Sequence, residues 1–172
     1  MDVFDTLRGR RSVRKYKSDP VSLDVMEKLV RAGQWAPTGA NRQSWKFIVI
    51  TDARVMRNVK RLSPMMWGAA PACIFVCLDL TRNSTPLEAR TGLATGFPSQ
   101  NVMLAAYALG LGTCPIGGFN RDAIRKLLNI PEDIEPMLLI TVGYPDEMPK
   151  VKPRRPIAEI AYINNCRRPW DA

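Results

Sequence analysis

No histidine occurs anywhere in the 172 residues. That absence removes the commonest general base, the Ser–His and Cys–His nucleophile pairs and nearly every histidine-ligated metal site. Most routes to hydrolytic chemistry go with them. Cysteine is scarce too. Cys73, Cys77, Cys114 and Cys166 include no Cys-x-x-Cys pair, and Cys73 and Cys77 lie in an apolar run where thiols behave as small hydrophobes. These spacings argue against a zinc or iron–sulfur site. Long apolar stretches are missing as well. The longest, Ala69 to Leu78, includes Pro71 and falls well short of the roughly 20 residues that cross a bilayer. The opening Met1-Asp2-Val3-Phe4-Asp5 lacks the basic-then-apolar layout of a signal peptide, so the expected location is cytoplasmic.

What is present in excess is positive charge. The hydrophobic fraction of 46% and charged fraction of 24% are ordinary, but the net charge is +9. Arg8, Arg10, Arg11, Arg14, Lys15 and Lys17 crowd the start, and Lys150, Lys152, Arg154, Arg155, Arg167 and Arg168 crowd the end. Two basic ends fit either a polyanion-binding module, such as one for nucleic acid, or a single small phosphate at which both ends meet. Neither segment interleaves aromatics with basics in the manner of RNA-binding modules.

The length is that of one domain, residues 1–172, and the periodicity gives an α+β balance. A first helix over Val3 to Arg8 places Val3, Phe4 and Leu7 on one side. Ser22 caps a second, whose stripe of Leu23, Met26, Leu29, Val30 and Gly33 runs on until Pro37 ends the element. Trp45 to Ile50 reads as a strand, Ala53 to Leu62 as a helix, and Ala72 to Leu78 as a strand covered on both faces. Residues 81 to 98 read as a loop entering a helix over Ser99 to Leu111, with Pro98 disfavouring a longer helix. This central helix suits a monomer core or a dimer core equally. Cys114 to Phe119 is a short strand and turn, Arg121 to Leu128 a helix, and Met137 to Tyr144 a strand. Five prolines, Pro145, Pro149, Pro153, Pro156 and Pro169, make 145–172 an extended arm.

Arginine forks paired with a hydroxyl, as in Arg10-Arg11-Ser12-Val13-Arg14, are suited to phosphate oxygens, although a lone arginine run is also a common solvated face. Pro37-Thr38-Gly39-Ala40-Asn41-Arg42-Gln43-Ser44, Pro115-Ile116-Gly117-Gly118 and Lys152-Pro153-Arg154-Arg155 each read, alone, as a turn or a solvated extension. In this order and at these distances the four segments resemble the FMN-dependent nitroreductase family. Gln100-Asn101 with Leu104-Ala105-Ala106, followed by Leu109-Gly110-Leu111-Gly112-Thr113-Cys114, matches that family's central helix and exit turn.

The resemblance implies an intertwined homodimer with a mixed, mainly antiparallel sheet flanked by helices, and flavin sites at the dimer interface. It implies FMN as cofactor and NADH or NADPH as donor. Hydride would pass through flavin N5 to a nitroaromatic, a quinone or another flavin by ping-pong. Arg10, Ser12, Lys152 and Arg154 would hold the phosphate, and Arg11 would contribute through its backbone or stem. Arg14 would stand beside N1 and O2 of the ring, where reduction places negative charge. Pro37, Thr38, Gly39, Asn41 and Gln43 belong to the second flavin-contact loop, and Thr38, Gly39, Asn41 and Gln43 would reach the ring or ribityl chain from the partner subunit. Pro115 and Ile116 would pack on a ring face, with a backbone N–H of Gly117 or Gly118 near N5. No side chain then serves as acid, base or nucleophile, which a chain without histidine tolerates. Gly117 stands where many members carry an acidic residue, and Ser44 where proline is usual. Branches of the fold that cleave reduced flavin or dehalogenate aromatics are the alternative chemistry.

Overall fold

The computed structural model describes residues 2–82 and 87–170. Its framework is a four-stranded antiparallel sheet in the order β1-β2-β4-β3, formed by β1 (Trp45–Ile50), β2 (Ala72–Asp79), β3 (Gly112–Ile116) and β4 (Ile134–Gly143). Two buried faces follow from the two-residue period of a strand. Ala72, Ile74 and Val76 of β2, with Ile140 and Val142 of β4, meet Met26 and Leu29 of α2 (Leu23–Gln34) and Val102, Met103 and Ala106 of α4 (Leu87–Ala108). The intervening Cys73, Phe75 and Cys77, with Leu139, Cys114 and Ile116, meet Met56 and Val59 of α3 (Ala53–Leu62) and Ile124 of α5 (Arg121–Leu128). Phe75 closes this second face edge-on against Phe119, at 5.3 Å between ring centres. The result is a three-layer sandwich with helices on both sides of the sheet.

Caps set most of the helix starts. Ser22 accepts from the Val25 N–H at 3.4 Å, Asp52 from Arg54 and Val55 at 2.8 and 2.9 Å, and Asn120 from Ala123 at 3.0 Å. Each satisfies N–H groups that a first turn leaves unpaired.

Several expectations change. Helix α4 starts at Leu87, not Ser99, and ends at Ala108, with Pro98 inside it. Its amino-terminal part is therefore helix where a loop was expected, while residues 83–86 of that stretch lie outside the described residues. The proline removes one N–H from the ladder, and packing of the later turns on α2 and the sheet outweighs that loss. Strand β4 begins at Ile134, three residues early, and tolerates Pro136 because the β2–β4 register slips between Val76 and Cys77, where Pro136 sits. Strand β3 begins at Gly112, and α2 stops at Gln34, before Pro37. The apolar side of α1 (Val3–Gly9) faces outward: Val3, Phe4 and Leu7 are all substantially exposed. Parallel pairing is confined to an isolated bridge between Ser12 and Thr113. No described helix is long and apolar enough to cross a membrane.

Gly110 ends α4 at φ +77°, while Leu111 N–H reaches back to the Ala106 carbonyl at 2.8 Å and Gly110 N–H to Tyr107 at 3.0 Å. This glycine cap turns the chain into β3 and buries Leu111. A Cβ at Gly110 would meet no atom within 4 Å, so Gly110→Ala isolates the backbone cost. Urea denaturation should show a loss of about 1 kcal/mol.

Candidate functional site

The two basic ends of the chain meet. A short antiparallel zipper brings them together: Lys17 N–H donates to the Tyr144 carbonyl at 2.9 Å, Asp146 N–H donates to the Lys15 carbonyl at 3.0 Å, and Tyr16 bridges Pro145. On its other side the N-terminal segment is tied to β3 by Val13 N–H to the Thr113 carbonyl, at 2.9 Å. Tyr16 locks the arrangement to the sheet. Its hydroxyl donates to the Val13 carbonyl at 2.5 Å and lies 2.7 Å from Thr141 Oγ1, and burial pushes its pKa up.

The zipper places Arg10, Arg11, Ser12 and Arg14 opposite Lys152 and Arg154 around one open cavity of about 740 Å³. Among the described residues no carboxylate lines it. Burial, then repulsion from Arg154 and Arg11, pulls the Arg10 guanidinium below its ordinary pKa, although an arginine stays charged through such a change. Arg10 Nη1 is buried without a hydrogen-bond partner; among the described residues only Ser63 Oγ shares that condition. Arg11 turns its guanidinium back to the carbonyls of Arg8 and Arg10 at 2.5 and 2.8 Å, and Arg14 folds onto the Ser12 carbonyl at 3.2 Å. Cys114 of β3 lies buried near this cluster without lining the cavity. Burial pushes its thiol up, offset in part by Arg14, a hydrogen bond with Ser12, and Arg10. A half-buried, uncompensated cation with an unused donor is the electrostatic complement of a phosphate.

The second loop lies elsewhere. Pro37, Thr38 and Gly39 line a separate cavity of about 250 Å³ with Arg42, Ser44, Leu93, Ala94 and Phe97, and it shares no lining residue with the basic cavity. The loop is wound tightly. Ala40, Asn41 and Gln43 all take left-handed backbone angles, with φ near 50°, a conformation that side chains with a Cβ adopt at a cost. Gln43 N–H bonds Thr38 Oγ1 at 3.2 Å, and Gln43 Nε2 bonds Asn41 Oδ1 at 3.1 Å. Strain of this kind persists where the surroundings over-determine it, as at binding loops.

The third segment divides. Ile116 turns its side chain into the core, which leaves its main chain, not its side chain, for a ligand. Pro115 is half-buried, and Gly117 and Gly118 are exposed. Space beside Gly117 is open, while Met65 lies against Gly118. The loop carrying Met65 also touches the first segment, since Gly68, at φ +76°, abuts the Arg14 carbonyl so closely that a Cβ would come within 2.2 Å of it. Sequence reasoning passed over this loop, and over Tyr16, Thr141 and Cys114 as supports of the arginine cluster.

The whole arrangement has counterparts. The nitroreductase family model matches residues 7–68 and 58–144. The chain belongs to the nitroreductase family. A relative from Methanothermobacter thermautotrophicus, provisionally named NADH dehydrogenase/NAD(P)H nitroreductase, is 32% identical over 164 residues, covering 87% of this chain and 80% of its own. A nitroreductase family protein from Clostridium difficile 630 superposes with a TM-score of 0.86 at 28% identity, covering 96% of this chain and 99% of its own. An FMN-dependent nitroreductase from C. difficile R20291 superposes at 0.83 and 25% identity, covering 94% and 99%. The shared fold carries both the antiparallel sheet and the helices that flank it.

For this nitroreductase family member the basic cavity should take a free anion. Inorganic phosphate, compared with chloride at equal ionic strength, should raise the melting temperature by preferential binding to the folded state. Arg10→Ala should remove at least half of that increase in differential scanning fluorimetry.

Proposed function

We propose that this chain is an FMN-dependent NAD(P)H oxidoreductase of the nitroreductase type, acting on a small organic acceptor by a ping-pong sequence. The observation that carries the reading is Arg10, half-buried with its Nη1 lacking a hydrogen-bond partner, on the wall of a cavity lined by cations from both chain ends. The names of the relatives point the same way: an NADPH-dependent oxidoreductase of Staphylococcus haemolyticus is 30% identical over 183 residues, and an FMN-dependent enzyme shares the fold.

The donor set fits FMN. Arg10, Ser12, Lys152 and Arg154 would hold the phosphate, with charge-assisted bonds to its oxygens. Arg14 would hold the pyrimidine edge of the ring, and the main-chain N–H groups of Gly117 and Gly118 are free of a Cβ and would approach the ring closely. Pro115 supplies a rigid apolar contact beside them. Bound there, the flavin supplies two-electron chemistry between nicotinamide and an organic acceptor. The protein holds the cofactor, orients it and fixes positive charge where reduction adds negative charge. No described side chain in this arrangement is needed to move a proton.

The loop of Thr38, Gly39, Asn41 and Gln43 would complete the site from a second copy of the chain. Support comes from its separation from the basic cavity, and from the apolar surface that a lone chain leaves exposed. Phe4, Leu7, Trp35, Leu93, Phe97, Ile160 and Trp170 are each close to half exposed or more, apolar surface that a second copy could cover.

Purified protein should gain a flavin absorption band on addition of FMN; a colourless protein after gel filtration overturns the reading. Arg10→Ala or Arg154→Ala should weaken FMN binding by about 1 to 3 kcal/mol for each charged hydrogen bond lost. Sites built from two copies make a further demand. Co-expressed Arg10→Ala and Asn41→Ala chains should form mixed dimers with one intact site, recovering up to half of the wild-type flavin content. Content no higher than the average of the two single variants would refute sites shared between copies.

A further inference from the structure

We propose that Glu147 is the positioning residue of the arginine loop, fixing the backbone of Arg14 and Lys15 from behind so that the cations of the loop stand ready for phosphate and flavin. This rests on the cofactor reading above and adds a residue to it. Glu147 Oε1 accepts from the Arg14 N–H at 2.6 Å and from the Lys15 N–H at 3.1 Å. One carboxylate oxygen thus satisfies two adjacent main-chain donors that neither a helix nor a strand would otherwise pair.

Its direction of approach matters. Glu147 does not line the basic cavity. It lines a smaller cavity of about 230 Å³ on the other side of the loop, with Gly9, Val13, Tyr107, Leu111 and Met148. Arg10 and Arg11 border both cavities, so the loop is the partition between them. A carboxylate on the cation side would neutralise the cluster and compete with phosphate. Here the carboxylate takes main-chain hydrogen bonds instead, and among the described residues no ion pair joins Arg10, Arg11, Arg14, Lys152 or Arg154 to an acid. The loop is held by an anion and yet keeps its charge for a ligand.

The position also explains how the two chain ends are kept in register. Asp146 N–H already bonds the Lys15 carbonyl, so Glu147 continues the same zipper by one residue through its side chain. Lys152 and Arg154 follow a few residues later, and their arrival at the cavity depends on where this zipper ends. Removing the carboxylate would leave both donors without their protein partner and the Arg14 backbone free to move from its place.

Three variants separate position from charge and from general stability. Glu147→Gln keeps an acceptor oxygen at the same reach and loses the charge, Glu147→Asp keeps the charge and loses the reach, and Glu147→Ala loses both. Hydrogen–deuterium exchange on the flavin-free protein should show faster exchange at Arg14 and Lys15 in the alanine and aspartate variants, with β2 and β4 unchanged. FMN titration should show Kd raised about tenfold or more in those two, and returned to within about threefold of wild type by glutamine. Unchanged exchange at Arg14 and Lys15 overturns the proposal, as does faster exchange with unchanged Kd. Uniformly faster exchange through β2 and β4 overturns it in favour of a structural role. A wild-type protein that binds inorganic phosphate but not FMN would sink the cofactor reading alone, and Glu147→Ala must then weaken phosphate binding for the positioning role to stand.

Discussion

Everything in the candidate site depends on holding like charges together. Two unit charges about 6 Å apart near a protein surface repel by about 3 kcal/mol, and this chain gathers Arg10, Arg11, Arg14, Lys152 and Arg154 around one cavity without an acid among its walls. Covalent neighbours cannot avoid each other, but the two chain ends could, and the zipper between residues 15–17 and 144–146 prevents it. That zipper is in turn an extension of the sheet. Strand β4 delivers the chain to Tyr144, and β3, paired with β4, offers Thr113 to Val13. The free energy of packing the sandwich is therefore what keeps the cations close, and an anion bound among them would relieve the repulsion directly. Affinity for such an anion would be stored in the folded state before the ligand is present.

The absence of histidine takes its meaning from this arrangement. The three buried cysteines are also suppressed as nucleophiles, while Cys166 stands exposed in the tail. Burial pushes the Cys73 thiol up, and pushes Cys77 up to about 12, so both stay protonated. Cys114, close to the arginines, is also raised on balance. What remains is a set of fixed donors and fixed charges, the equipment needed to hold a reactive cofactor and tune it, with the chemistry left to the bound group. Composition and geometry agree from independent directions.

Local patterns made much of the fold legible. Strand β1 and helices α3 and α5 begin and end where alternation, periodicity and caps place them, because each is a complete local statement: an Asp52 or Asn120 cap, an amphipathic stretch, a stop. Helix α4 was read as starting at Ser99 because Pro98 is a local signal for a boundary, and tertiary packing overrode it. The arginine cluster was visible as residue types, and its meeting with Lys152 and Arg154 as a resemblance. The supports were not visible. Glu147 lies 133 residues from the N–H it bonds, and an acid in a proline-rich basic tail carries no pattern of its own. Ile116 shows the converse, since its place in a motif points to a ligand role while the alternation of β3 sends its side chain to the core.

A chain of this design is incomplete in two ways that share one remedy. Its second loop keeps an unfavourable backbone at Ala40, Asn41 and Gln43 while its Pro37, Thr38 and Gly39 line a cavity distinct from the basic one, and its helices leave Phe4, Leu7 and Phe97 uncovered. Burying such apolar side chains contributes roughly 25 cal/mol for each Å² removed from water, and that gain is available only to an assembly. The proposed second copy would cover the apolar surface and bring its own loop to the far end of the flavin. Cofactor binding and association would then reinforce each other, since a ligand held by both copies stabilises the dimer by as much as the dimer tightens the ligand. The proline-rich arm fits this coupling, although it is extended only as far as Pro156: a 3-10 turn over Ile157–Glu159 and a bridge between Tyr162 and Pro169 fold the rest back on itself. Having little conformational freedom to lose, it would join the cations Lys152 and Arg154 to the apolar residues Ile157, Ile160 and Trp170 beyond them, so that one segment would serve both the ligand and the interface.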